Sequence, residues 1–200
     1  MKSRRSPAEL WQTRSEPKSA LHTIAHTKLL AREYKNLMKK DLARAIVRLD
    51  FQYAHRFMNW HGEASYLHGH SGLLEIELEG TPDEHGFVYP IKDAQKIAWE
   101  VADNFHHATV FQEGDPLLGI LLAGYQQAGM YGTTNRFGPP AKQLNHPLVW
   151  SYPESRIAVT KKVSSCENFC EIFYELLKDR LPIKKVSFRS SSLNAASREF

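Results

Sequence analysis

Apolar residues recur along this chain with two different periods. Leu21, Ile24, Leu30, Tyr34, Leu37, Met38 and Leu42 follow near-helical spacing and predict an amphipathic helix over about 20–43. Residues 45–51 alternate loosely as a strand, and residues 73–79 alternate cleanly, with Leu74, Ile76 and Leu78 set between glutamates. That second strand is expected to be half buried. Residues 80–86 are dense in turn formers, so a short strand at 87–89 is expected before a helix over about 92–106. Further on, 157–159 fits a strand, 166–181 a helix and 183–189 a last alternating strand. Between them, residues 112–154 are rich in Gly, Pro, Asn and Gln, and only 117–125 suggests a helix, which predicts an irregular excursion from the core. The pattern is that of an α+β domain.

Composition narrows the class. A length of 200 residues with 42% hydrophobic content suits one domain with a sizeable core and an appendage. No apolar run approaches the roughly 20 residues of a membrane-spanning helix, and the polar start is not followed by a signal-peptide core, so a cytoplasmic protein without membrane contact is expected. Cys166 and Cys170, four apart in the expected helix, suit neighbouring core positions better than a disulfide framework. Residues 1–48 hold 12 Lys/Arg against 4 Asp/Glu, and the rest of the chain 14 against 18. The basic character therefore belongs to an N-terminal extension, 1–44, ahead of a domain at 45–200. Such a segment reads as a solvated helix or as an arm for an anionic partner; no nucleic-acid motif is recognisable in it.

The candidate chemistry lies at the second strand. His68-Gly69-His70 stands at its entrance, and residues two apart share a face, so both imidazoles can address one ion, with Gly69 leaving the space between them open. An antiparallel hairpin would bring His55, at the end of the first strand, beside them. Three neutral imidazoles suit zinc, with a fourth position left for water or substrate. Taken alone, the His-x-His pair fits a metal site and two surface histidines equally well.

The surrounding frame resembles a known family. Phe51-Gln52-Tyr53-Ala54-His55-Arg56-Phe57, then Leu67-His68-Gly69-His70-Ser71, then Gly86-Phe87-Val88 are similar in order and spacing to the 6-pyruvoyl- and 6-carboxytetrahydropterin synthases. Residues 105–111 resemble that family's Leu-Asp-His-x-x-Leu-Asn segment, Gly114-Asp115-Pro116-Leu117 a segment of its longer members, and Glu167-Asn168 its Pro-Thr-x-Glu-Asn helix start. The likeness spans about 45–198. It implies the T-fold, a four-stranded antiparallel sheet with two helices on one face, assembled through sheet edges into homo-oligomers, commonly hexamers. It also implies zinc held by His55, His68 and His70, and a small-molecule, pterin-like substrate.

Four positions depart from the family pattern. Ala64 stands where the resemblance places a cysteine base, His106 where it places the aspartate of an Asp-His pair completed by His107, Ser190 where it places a pterin-anchoring glutamate, and Pro90 where it places an aspartate. Glu63, beside Ala64, is a candidate replacement base, since a subgroup of the family uses glutamate there, and His106 and His107 are candidate proton carriers. Ser190 and Glu167 are the candidate substrate-binding residues. Two functions follow: a zinc-dependent lyase with altered catalytic residues, or a catalytically silent zinc-binding T-fold protein with a structural or partner-binding role.

Overall fold

The alternation at the two ends of the first hairpin is realised as two 13-residue strands, β1 (Ala43–His55) and β2 (His68–Gly80), paired antiparallel along their whole length. Val47, Phe51, Leu74, Ile76 and Leu78 are fully buried on one face. The other face carries Arg44 and Arg48 paired with Glu77, Glu79 and Glu75, so it stays polar. The computed structural model describes residues 27–30, 41–128 and 142–200. The chain divides into two units, Met1–Leu42 and Ala43–Phe200, and every strand of the sheet belongs to the second. Of the helix expected over 20–43, residues 27–30 are helical, residues 41–42 are not and Ala43 opens β1; the rest lies outside the described residues, as does most of the basic extension.

The hairpin is followed by helix α1 (Ile91–Ala102), strand β3 (Ala108–Gln112) and helix α2 (Pro116–Ala128). Then come β4 (Asn145–His146), β5 (Val149–Tyr152), β6 (Ile157–Thr160), helix α3 (Cys166–Leu177), β7 (Ile183–Arg189) and β8 (Ala195–Glu199). All strands join one sheet of eight, in the order β4-β5-β6-β3-β1-β2-β7-β8. β3 runs parallel to both β1 and β6, whereas the other pairings are antiparallel. The four-stranded antiparallel sheet is thus corrected to a mixed sheet of eight.

The expected strand at 87–89 is not formed. Asp83 explains why: its carboxylate accepts from the amides of His85 and Phe87, and its own amide donates to the Phe87 carbonyl, so this segment closes a turn instead of entering a ladder. Helices α1 and α3 bury Ala94, Ala98, Val101, Phe169, Phe173 and Leu177 in one core with the inner faces of β1, β2 and β7. A cluster of Phe51, Phe105, Phe169, Phe173 and Phe188, with ring centroids 4.6–6.5 Å apart, ties those elements together. Burial of each such ring contributes on the order of 1.5–3 kcal/mol, so the start of α3 is held firmly beside β1.

Helix α2 corrects the second half of the fold expectation. It packs Leu117, Leu118, Leu121 and Leu122 against Phe111, Ile157 and Val159, in a core separate from that of α1 and α3. Val110 and Ala158 belong to the first core while Phe111, Ile157 and Val159 belong to the second, so alternation places α2 on the opposite face of the sheet. The excursion at 112–154 therefore contributes a helix and the strands β4 and β5 to the fold. Among the described residues, no helix is long and apolar enough to cross a membrane.

Candidate metal centre

Register alone assembles the three histidines. His55 faces His68 across the β1–β2 ladder, and Tyr53 faces His70. Cross-strand neighbours share a face, and the three imidazole centroids lie 4.7–4.9 Å from one another. One ring nitrogen from each falls within 4.8 Å of the other two. Gly69 has a different role from the one expected: alternation turns it to the opposite face, and a Cβ there would meet only the Tyr53 carbonyl oxygen, at 3.7 Å.

Each ring is fixed by the backbone. His55 Nδ1 lies 3.0 Å from the Ser164 carbonyl and 2.9 Å from Ser164 Oγ, and His68 Nδ1 donates to the Tyr66 carbonyl at 2.8 Å. The His70 ring is bonded to the Ser190 backbone. A carbonyl only accepts, so Nδ1 of His55 and His68 carries the proton and Nε2 presents its lone pair. Burial, reinforced by His68 and His70, lowers the His55 pKa to about 3, and burial likewise lowers that of His70. Three imidazoles oriented from behind are a donor set that fits zinc.

The triad opens into a pocket of about 400 Å³ whose wall also includes Ala64, Cys166, Glu167 and Ser190. Ser190 is 7% exposed, and its amide donates to the Asn194 carbonyl. Glu167 stands in the first turn of α3, where the Ser165 hydroxyl holds its carboxyl below the usual range. Ser165 caps α3 by accepting from the Asn168 amide. Sequence reasoning missed Ser164, Cys166 and Tyr53. Tyr53 was within reach, because it shares the face of Phe51 and His55 in the alternation of β1.

The other candidates lie elsewhere. His107 adopts φ 54°, donates its amide to the Gln52 carbonyl at 2.6 Å, and lines a second pocket of about 450 Å³ with Gln52, Ala54 and Ser71; this pocket shares Tyr53 and His70 with the first. Gln52, Ala54 and Ser71 belong to the sheet face opposite the triad, so His107 does not join the metal pocket within one chain. His106 packs on Trp99 and His107, and its Nδ1 is buried without a partner among the described residues; burial, then His107, lowers its pKa. Glu63 is exposed on a short 3-10 turn, Glu63–Ser65, and lines neither pocket.

Comparison with known proteins agrees with this frame. The family described as 6-pyruvoyl tetrahydropterin synthase matches residues 45–198. The 6-carboxy-5,6,7,8-tetrahydropterin synthase of Rickettsia bellii (strain RML369-C) is 33% identical over 101 residues, covering 48% of this chain and 70% of that protein. The protein of the same name from Rickettsia typhi (strain ATCC VR-144 / Wilmington) is 27% identical over 99 residues, with the same coverage of 48% and 70%. Among solved structures, an uncharacterized protein from Wolinella succinogenes superimposes with a TM-score of 0.60 at 17% identity, covering 79% of this chain and 98% of that one. The 6-pyruvoyl tetrahydropterin synthase of Caenorhabditis elegans gives 0.51 at 16% identity, covering 80% and 96%. At such identities the two structures share the fold.

Proposed function

This chain belongs to the 6-pyruvoyl tetrahydropterin synthase family, and from that premise we propose that it is a zinc-dependent lyase acting on a pterin-like or related carbonyl-bearing small molecule. The observation that carries the reading is the convergence of His55, His68 and His70 on a pocket that also holds Glu167 and Ser190. Three protein ligands leave a coordination position open, the arrangement of catalytic zinc, whereas structural sites are closed by four. Zinc bound there would act as a Lewis acid toward a substrate oxygen.

The chain's own residues supply the remaining functions. Ser164 and the Tyr66 carbonyl hold the imidazoles in their ligating tautomer. Glu167, ionised at the pocket mouth, is placed to accept from the amino and ring N–H groups of a pterin, and Ser190 from a further donor. The sheet is read as assembling through its outer strands β4 and β8 into a homo-oligomer.

A silent zinc protein is the competing reading, and Ala64 in the pocket wall favours it, since a methyl group transfers no proton. Incubation with dihydroneopterin triphosphate and Zn²⁺, with products followed by mass spectrometry and pterin binding by calorimetry, separates the two. Turnover to a tetrahydropterin is expected. Absence of both turnover and binding would leave the silent protein.

A further inference from the structure

The metal pocket contains a sulfur atom to which neither the triad nor the pterin contacts give a role. We propose that Cys166 is the proton-transferring residue of this site, occupying the chemical place that Ala64 leaves empty; the proposal rests on the lyase reading. Three observations bring the thiol there. Cys166 follows Ser164 by two residues, and Ser164 holds His55 through both its carbonyl and its hydroxyl, so the corner leading into α3 is fastened to the triad. Cys166 is a free, half-buried cysteine that lines the same pocket as the three histidines and Ala64. Cys170, one turn later, is fully buried in the core, so the two sulfurs divide between pocket and interior.

A further observation is an unsatisfied group. Tyr53 is 4% exposed, lines this pocket, and its hydroxyl has no hydrogen-bond partner among the described residues. A buried phenol left unpaired is unfavourable, so its presence points to a partner that arrives with the substrate. The Tyr53 ring packs edge-on against His55 and Phe169, at 5.2 Å from each, so the hydroxyl cannot swing away without disturbing the triad.

The chemistry is that of an acid–base thiol. Cys166 is the first residue of a 12-residue helix capped by Ser165, and the amide end of a helix favours an anion beside it. As thiolate, Sγ accepts the proton of a substrate C–H next to a C=O or C=N group; the C–H electron pair moves into that group to give the enolate or its enamine counterpart, and Sγ becomes a thiol. That proton returns to the neighbouring carbon or oxygen as this species collapses, and the thiolate is restored. Tyr53, as the nearby neutral donor, bonds to the oxygen on which charge develops.

The test compares the full-length zinc-loaded wild type with Cys166→Ala, Ala64→Cys and the Ala64→Cys/Cys166→Ala double variant. Zinc content, neopterin binding and turnover of dihydroneopterin triphosphate are measured for each. Cys166→Ala is expected to lose at least about 100-fold in kcat, with zinc content and neopterin affinity kept, and the double variant to regain activity. Iodoacetamide labelling mapped by mass spectrometry is expected at Cys166 and slowed about tenfold by neopterin, as for a side chain covered by a ligand. Turnover by Cys166→Ala within threefold of wild type, or labelling indifferent to neopterin, overturns the role of Cys166 and leaves the lyase reading standing. Turnover by Ala64→Cys but not by wild type also overturns it, because the pocket would then lack a base. No turnover by any of the four proteins overturns the lyase reading itself.

Discussion

His55 Nδ1 sits between two oxygens of one residue, 3.0 Å from the Ser164 carbonyl and 2.9 Å from Ser164 Oγ, across a sequence separation of 109. Ser164 is 1% exposed, so this contact is shielded from water. Removing the outer partner of a metal-bound histidine commonly lowers affinity by about 10–100-fold. Ser164→Ala retains the carbonyl, which places it at the lower end, a loss of about tenfold in zinc affinity by chelator competition. An affinity within twofold of wild type would show that the carbonyl alone orients the ring.

The same histidine makes the metal-free protein sensitive to acid. Its folded pKa, about 3, lies below the ordinary histidine value of 6.5. Between those values the unfolded chain binds a proton that the folded chain refuses, so stability is complete above about pH 6.5 and falls as pH drops toward 3. His70 and His106, also lowered, act in the same direction. From pH 7.5 to pH 5 the His55 contribution alone is about 2 kcal/mol. Urea unfolding of zinc-free protein should give a lower midpoint at pH 5; a higher midpoint there would contradict the assignment.

How much of the fold and site was legible in the sequence depended on distance along the chain. β1 and β2 are long and adjacent, so alternation revealed both their existence and which faces Leu74, Ile76, Leu78 and the three histidines occupy. β3 has five residues, none of them in a clean alternation, and its pairings are parallel, set by elements far apart in sequence. β8 reads Ala-Ala-Ser-Arg-Glu, with no apolar face to signal a strand, and forms because β7 offers it an edge. The site divided in the same way. The triad came from one hairpin, whereas Ser164 and Cys166 reach it from the far side of the fold, where no local pattern could announce them. The positive φ of His107 is likewise something that spacing does not reveal.

Arg56 follows His55 directly, and its Nε donates to Asp115 Oδ2 at 2.8 Å. The Asp115 side chain is fully buried, that of Arg56 is 20% exposed, and Asp115 Oδ1 also accepts from the Leu117 amide at the start of α2. Loss of one member of such a pair leaves an uncompensated charge, so Asp115→Ala should destabilise by about 2–4 kcal/mol in urea unfolding. Arg44, with its side chain 54% exposed in its pair with Glu77, supplies the contrast: Arg44→Ala should leave the urea midpoint nearly unchanged. Equal losses would mean that burial is not what distinguishes the two pairs.

Two glycines of β2 provide a sharper test of which face the site occupies. A Cβ on Gly72 would lie 2.8 Å from Phe188 Cζ and 3.1 Å from Tyr53 Cε1, and Phe188 is completely buried with aromatic neighbours on several sides. Neither ring can yield without disturbing the core or the wall of the metal pocket. Gly72→Ala should therefore destabilise by about 1–3 kcal/mol, the usual cost of overpacking, and should weaken zinc binding through Tyr53 and its contacts with His55 and His70. Gly69 lies on the outer face between His68 and His70, where an added Cβ makes only an ordinary contact at 3.7 Å. Gly69→Ala is expected to keep zinc affinity and to shift stability by less than about 1 kcal/mol, in the stabilising direction, because alanine restricts the unfolded chain more than glycine does. Paired urea titrations and chelator competitions decide it. If Gly69→Ala abolished zinc binding while Gly72→Ala did not, the space between the two imidazoles would lie on the Gly69 side, and the pocket assigned to the triad would be the wrong one.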